Sequence, residues 1–400
     1  MSAYSRSRST STDSLFEDAT GEFDHLIVTT PRSSSSPPAA SSSTSRRRPA
    51  KVTKRPKSPP SWITPEQAAR AERRTTDSGA VSIVLDCRPR FLTRSDEELL
   101  DIFPAFEQWQ NRQDDRDNSM NIILKRIFCD VDRLRCSDLR GRTELLNRLL
   151  DRDNGLQKIA DAENGLYWVS ADLHELLSRW RRGDLDPYIL RGIETRKSLK
   201  DGRISRAEDR RFRFKREANK QGHNGLQIGQ WWPLRLAMLR DGAHGSAEGG
   251  IAGNEYLGAV SCVIGGGASR EIDHDYPDVD MGDRVLYCST VHGNGLMTKH
   301  TKLMLRAYHN SNPVRLFRGA KLRSKYAPST GIRYDGLYKI QSFEELDKKT
   351  KLYRFTMQRE PGQCPIRYKG LEVRPTKSEN RQWELCLTNQ SKANPIQRAT

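Results

Sequence analysis

The sequence predicts an α+β protein with three parts: a disordered N-terminal tail, a mostly helical region, and a curved, barrel-like β-sheet domain. Three observations predict it. Serine fills fifteen of the first sixty positions, and such a stretch cannot bury enough apolar surface to offset its ordering entropy. Apolar residues then recur at helical spacing between residues 62 and 195. From Gly222 onward the texture changes to short alternating segments of β-branched and aromatic residues punctuated by glycine. The boundaries read from these shifts are a tail over 1–61, a helical region over 62–195, a basic linker over 196–221, the sheet domain over 222–372 and a C-terminal tail over 373–400.

Within the tail, SRRRPAKVTKRPK (45–57) reads as a nuclear import signal or an arm that touches nucleic acid; a merely solubilising cluster is the alternative. In the helical region, SDEELLDIFPAFEQWQ begins with Ser95 as N-cap and Glu98 three residues on, the arrangement of a capping box. NSMNIILKRIFCDVDRL carries Ile122, Ile123, Ile127, Val131 and Leu134 on a helical stripe. RTELLNRLLDRDNG is expected to end in a Gly155 cap, and SADLHELLSRWRR places Leu173, Leu176, Leu177 and Trp180 on one face. These stripes read as core, and the region as support or partner binding.

The linker holds eleven Lys or Arg between residues 196 and 220, interleaved with Phe212 and Phe214. Phosphate contact through Arg210, Arg211 and Arg213 is the functional reading, and a solvated linker is the plain one. Segments such as GAVSCVIGGG, DRVLYCST, PVRLFRG and YRFTMQR read as strands of a domain able to fold alone. KYAPSTGIRYDGLYKI (325–340) concentrates three tyrosines, two glycines and a proline. Pro328, Gly331 and Gly336 exclude a helix, so a turn and an alternating strand are expected there, in the form of a hairpin with aromatic cross-strand pairs.

The formal net charge is +17, which favours a polyanionic partner, nucleic acid foremost. The seven cysteines are odd in number, widely spaced and never CxxC, so neither a disulfide framework nor a zinc ribbon is expected. No apolar run reaches the ~18 residues a membrane span needs, and the N-terminal segment lacks the apolar core of a signal peptide.

The ordered series GLQIGQWWPLR, RDGAHGSAEGGIAG, GAVSCVIGGG, DVDMGDRVLY, PVRLFRG, KYAPSTGIRYDGLYKI and REPGQCPI, over roughly 222–370, resembles the YDG or SET-and-RING-associated (SRA) domain in its stand-alone fungal form. The resemblance implies a crescent-shaped sheet that grips double-stranded DNA and flips a modified cytosine between two aromatic rings. Asp278 then falls on the carboxylate that accepts from the cytosine amine. Tyr287 falls on one stacking aromatic, and Tyr276 is the candidate for the other, beside an insertion of about eight residues. Gly265, Gly266 and Gly267 let the backbone approach the base, and Cys288 and Ser289 line the methyl pocket. Glu248 occupies the wedge that fills the vacated base-pair space, and Lys299, His300 and Lys302 are the DNA contacts of a short loop over 290–302. Tyr334 and Tyr338 pack the sheet while Asp335 ties a turn, so the tripeptide Tyr334-Asp335-Gly336 is scaffold.

Plain alternatives stand beside these roles. EIDHDYPDVDMGD also reads as an acidic surface loop or a weak cation site, and Tyr287 also reads as core packing. The expected function is a nuclear, chromatin-linked, non-enzymatic reader of modified cytosine with no cofactor. Its expected partners are modified double-stranded DNA and histone or chromatin proteins, with no membrane. The alternatives are an adaptor with a degenerate pocket and a modification-dependent nuclease subunit.

Overall fold

The computed structural model describes residues 82–111, 118–162, 166–265, 278–291 and 295–392. The expectations for 1–61, including 45–57, lie outside the described residues.

The helical region forms as its spacing predicts. Helices α1 (Asp96–Leu100) and α2 (Ile102–Asn111) share one apolar face, and the Ser95–Glu98 capping box closes in both directions. Next come α3 (Asn118–Cys136), α4 (Thr143–Leu150), α5 (Leu156–Ala160) and α6 (Tyr167–Trp180). Their apolar stripes bury one core that includes Leu99, Trp109, Ile127, Leu149, Leu176 and Trp180. Gly155 does not cap α4. That helix stops at Leu150, Asp151 Oδ1 accepts from the Asp153 and Asn154 amides, and Gly155 begins α5. A Cβ at Gly155 would meet the Asp151 carbonyl oxygen at 2.4 Å, so close approach of backbone to backbone explains the glycine.

The expected linker over 196–221 contains structure. Strands β1 (Ser82–Leu85), β2 (Ile193–Ser198) and β3 (Ile204–Glu208) make an antiparallel three-stranded sheet in the order β1-β2-β3. Its small core is Ile83, Leu85 and Cys87, backed by Leu199 and Ile204. The cations hid the strands from sequence reading because few of these residues are apolar. The ladder hydrogen bonds come from the backbone and do not depend on side-chain type.

The large sheet runs β5 (Ile251–Asn254), β6 (Gly258–Ile264), β9 (Val314–Gly319), β10 (Ile332–Asp347), β11 (Leu352–Arg359), β8 (Arg284–Cys288), β7 (Val279–Asp280), with β4 (Trp231–Trp232) against β10. It does not close, which corrects the barrel-like expectation. The path ends on short edge strands, and β7 has two residues. Helix α8 (Lys299–His309) covers one face through Leu303, Met304 and Ala307, packed with Ile251, Val314 and Tyr338. A second core gathers Trp232, Phe317 and Tyr334 with Tyr188, Leu190 and Ile193 from the preceding region. The short helix α7 (Arg235–Arg240) lies between β4 and β5. The strand expected over 332–340 forms as an arm of the antiparallel β10–β11 hairpin, with aromatic residues paired across it at Phe343 and Phe355. It is a central strand, buried on both faces from Ile332 to Leu337, flanked by β9 and β11.

The C-terminal segment is helix α9 (Lys377–Lys392), not a tail along its described length. Asp172 of α6 receives Arg367 at 2.6 Å, Arg374 at 2.7 Å and Arg135 at 3.1 Å. Arg374 also pairs with Glu379. Burial alone would raise the Asp172 carboxyl, but these three guanidinium groups hold it well below the carboxylate range. A buried network therefore ties the helical region to the end of the sheet domain, and the boundary near residue 222 is crossed by charge and core alike.

Candidate nucleic-acid interface

The tripeptide Tyr334-Asp335-Gly336 sits where β10 shifts register against β9, between Tyr334 and Gly336. Gly336 has φ of 114°, which only glycine adopts without strain. The bulge leaves Asp335 fully buried, and it is in a strand rather than a turn. It accepts from Arg333 Nε at 2.6 Å and Nη2 at 2.9 Å, and from Arg318 Nη1 at 2.9 Å. Arg318 then reaches the β7–β8 hairpin. It donates to Asp280 Oδ2 at 2.8 Å and Oδ1 at 2.6 Å, and to the Gly282 carbonyl at 2.6 Å. Tyr338 Oη donates to the same carbonyl at 2.8 Å. Tyr334 Oη meets His223 Nδ1 at 2.8 Å. The motif thus builds the sheet and fixes a hairpin through buried charge.

That hairpin carries Asp278, two residues before Asp280. Asp278 Oδ1 accepts from the Cys288 amide at 2.9 Å, which sets the carboxyl against the Tyr287–Cys288 end of β8. Burial raises its pKa to about 6, and the Cys288 amide opposes the shift only in part. Asp278 is the partly buried acid of the group, with Cys262, Tyr287 and Cys288 within its electrostatic reach. Tyr287 is 6% exposed and belongs to the core that holds Ile251, Cys262 and Phe355. Burial pushes its hydroxyl well above the ordinary tyrosine range. Ser289 is buried and accepts from the Tyr353 amide at 3.0 Å through its hydroxyl, which pins β8 to β11. Gly265 closes β6 with φ of 65°.

A rim begins at the Glu248 loop, where a Cβ at Gly250 would lie 3.6 Å from Tyr287 Oη. Glu248 is exposed, and its carbonyl accepts from Arg235 Nη1. His244 fixes the same loop from beneath, with Nδ1 at 2.8 Å from Ser261 Oγ and Nε2 at 2.8 Å from the Gly249 carbonyl. Burial lowers its pKa to about 4, so it is neutral at pH 7. Lys299, His300 and Lys302 do not lie on a loop. They form the first turn of α8, capped by the Thr298 hydroxyl, which accepts from the Thr301 amide at 3.0 Å. A Cβ at Gly249 would lie 3.4 Å from His300 Nε2, so the Glu248 loop and this turn are neighbours. Lys299 and Lys302 are exposed. Arg210, Arg211 and Arg213 are exposed beyond β3, with Arg213 stacked on Phe214 at 4.9 Å. Tyr276, Gly266 and Gly267 lie outside the described residues. Among the described residues no group of three or more His, Cys, Asp or Glu is placed to hold a metal ion. No helix there is long and apolar enough to cross a membrane.

The SAD/SRA domain family matches residues 220–363. This segment is an SRA domain. It is similar to the UHRF1-like protein of Cryptococcus neoformans var. grubii, 33% identical over 164 residues, 37% of this chain and 48% of that protein. It is also similar to the human E3 ubiquitin-protein ligase UHRF2, 30% identical over 149 residues, 30% of this chain and 18% of that protein. The chain therefore spans about half the length of the fungal relative and under a fifth of the human one. Among solved structures, the SUVH5 SRA domain with fully methylated CG DNA is 24% identical, covering 37% of this chain and 98% of that one, with a TM-score of 0.30. A TM-score of that size bears on neither function nor residue roles.

Three residues of the SRA domain escaped sequence reading. Arg318 sits in PVRLFRG, whose alternation signalled only a strand. His244 was one of several scattered histidines. Arg235 follows the WWPL segment without any charge pattern to mark it. Each acts by where the fold brings it, through Asp280 for Arg318, Gly249 for His244 and the Glu248 carbonyl for Arg235.

Proposed function

We propose that this chain reads modified cytosine, 5-methylcytosine foremost, in double-stranded DNA, and that the SRA domain takes the flipped base at Asp278. The observation that carries the reading is the desolvated Asp278 carboxyl, anchored through Oδ1 on the Cys288 amide beside Tyr287. That geometry leaves Oδ2 to accept from the exocyclic amine, the donor that distinguishes cytosine from thymine. Flipping costs a few kcal/mol, which stacking and edge hydrogen bonds return. Tyr287 supplies one stacking face, Tyr276 the other, and Cys288 with Gly266 and Gly267 surrounds the methyl group.

The rim serves the phosphate backbone. Lys299 and Lys302, with His300 between them, occupy the first turn of α8, where the helix dipole disfavours the two lysine charges. A partner that brings negative charge to that turn accounts for the placement. Glu248 enters the duplex beside them, and Arg210, Arg211 and Arg213 add sequence-independent affinity. The chain acts as a nuclear, chromatin-bound reader without catalysis of its own. UHRF2 and the UHRF1-like protein match in the SRA segment, and the net charge of +17 suits a DNA partner.

The test is a competition titration of full-length protein with duplexes that differ only at one cytosine, methylated or plain, at one salt concentration. Tighter binding to the methylated duplex is expected. Equal affinity overturns the reader assignment. Cleavage of the methylated duplex in magnesium would instead establish the nuclease alternative.

A further inference from the structure

A cavity of about 60 Å³ lies apart from the Asp278 group, where α6, the Gly225–Asp241 stretch of the SRA domain and α9 meet. Six arginines line it: Arg135, Arg179, Arg182, Arg191, Arg216 and Arg240. The acidic side chains in its wall are Glu175, Asp241 and Glu379, so cations outnumber anions two to one.

Most of these guanidinium groups are committed to the protein. Arg135 pairs with Glu175 at 3.1 Å and Asp172 at 3.1 Å. Arg191 pairs with Asp184 at 2.8 Å, and Arg240 with Asp241 at 2.6 Å. Arg216 donates to the Asn224 carbonyl. Arg182, at the exposed edge, donates to the Ser178 carbonyl at 2.6 Å and hydroxyl at 2.8 Å. Arg179 differs. Its Nε and Nη2 are buried with no hydrogen-bond partner among the described residues. Burial lowers its pKa to about 10, and Arg191 adds to the shift, so it remains charged at pH 7. Asp184, Glu175 and Asp241 offset part of its charge at longer range, but two buried guanidinium nitrogens without acceptors are costly, and an anion beside them removes the cost.

We propose that this cavity binds a small free oxyanion of the phosphate or sulfate class, clamped by Arg179 with Arg182 at the mouth. The volume suits it. A water needs about 10–15 Å³ of such space, so the cavity accepts one small tetrahedral ion rather than a nucleotide. Guanidinium forks match oxyanion geometry. The bound ion bridges three segments that are distant in sequence, so it locks the helical region, the SRA domain and α9 together. Base reading at Asp278 neither requires this site nor is required by it.

The experiment is thermal unfolding of the full chain in inorganic phosphate against sodium chloride of equal ionic strength, with ³¹P line broadening as a direct measure of binding. The wild type should gain about 2–4 °C at a phosphate concentration several times the Kd. Arg179→Gln should lose the gain and the broadening. Arg179→Lys should retain part of both, as a charge without the fork. Because a change at Arg179 can itself unfold the protein, Arg182→Gln at the exposed mouth provides a second variant, with an expected several-fold weaker Kd. Equal Tm in phosphate and chloride without line broadening overturns the proposal. So does an undiminished response in Arg179→Gln or in Arg182→Gln. An equal or larger gain with adenosine monophosphate overturns the free-ion assignment.

Discussion

Asp335 carries a charge that two arginines share, and its removal gives a measurable consequence. In Asp335→Ala the Arg333 fork loses its bonds at 2.6 and 2.9 Å, and Arg318 loses its bond at 2.9 Å. Arg318 keeps Asp280 as counter-charge, so its burial stays compensated. Arg333 keeps only carbonyls, those of Tyr326 and Arg374, and becomes a fully buried cation without an anion. Breaking a buried pair from one side costs about 3–5 kcal/mol. That is a large part of the ~5–15 kcal/mol that holds a domain together. The assay is urea unfolding of the full chain followed by tryptophan fluorescence, where the midpoint should fall by about 1–2 M. Arg333→Met added to Asp335→Ala removes the stranded cation, and the double variant should be less destabilised than the sum of the singles. A loss under about 1 kcal/mol in Asp335→Ala, or strict additivity in the double variant, would refute the network as the support of the hairpin.

Three further outcomes are expected. Asp172→Ala leaves Arg135, Arg367 and Arg374 facing one another with less counter-charge, so it should cost about 3–5 kcal/mol and open the junction to limited proteolysis; an intact protease pattern would mean that the network does not join the two regions. The Asp278 carboxyl titrates near pH 6, and its ionised form is the stronger acceptor for the base amine. Preference for methylated DNA should therefore weaken as pH falls from 7 through 6, and Asp278→Asn should flatten that profile. In the free protein the sign is opposite. The folded state binds the extra proton between the ordinary carboxyl pKa and about 6, so this group's contribution to stability falls as pH rises across that window. Neutralising Arg210, Arg211 and Arg213 should weaken modified and plain DNA alike and reduce the salt slope by roughly 0.9 for each phosphate no longer neutralised; an unchanged slope would mean that those side chains touch no phosphate.

How much of this could be read from sequence depended on whether the signal was local. The capping box at Ser95 and Glu98, the α3 and α6 stripes and the strands from Gly258 to Arg359 are local patterns, and the fold realises them. The β2–β3 hairpin was hidden because Arg196, Lys197, Lys200 and Arg203 mask its alternation while its hydrogen bonds come from backbone. The closed barrel failed for a non-local reason, since closure depends on whether the edge strands β5 and β7 meet. Helix α9 has a weak apolar stripe, and what anchors it is Glu379 pairing with Arg374, which in turn reaches Asp172 of α6 across some two hundred positions of sequence. At the candidate site, Asp278 and Tyr287 were named from the family resemblance, and the fold brings them together where Asp278 accepts from the Cys288 amide. Arg318 was not named, because a buried arginine on a strand looks like any exposed one until its partners Asp280 and Asp335 are placed.

The central claim is that Asp278 reads a flipped cytosine. The direct measurement is the ratio of Kd values for plain and methylated duplexes, taken for wild type and for Asp278→Ala across a salt series, with circular dichroism to show that both are folded. In this account only the methylated base is flipped and makes the bond to Asp278, while the plain duplex is held by the basic rim. Loss of that bond is worth about 1–3 kcal/mol, so the ratio should drop by about five- to a hundred-fold, to near one where the initial preference is modest. The salt slope, set by the basic rim, should not change. A folded Asp278→Ala protein that keeps the full wild-type ratio would contradict the account.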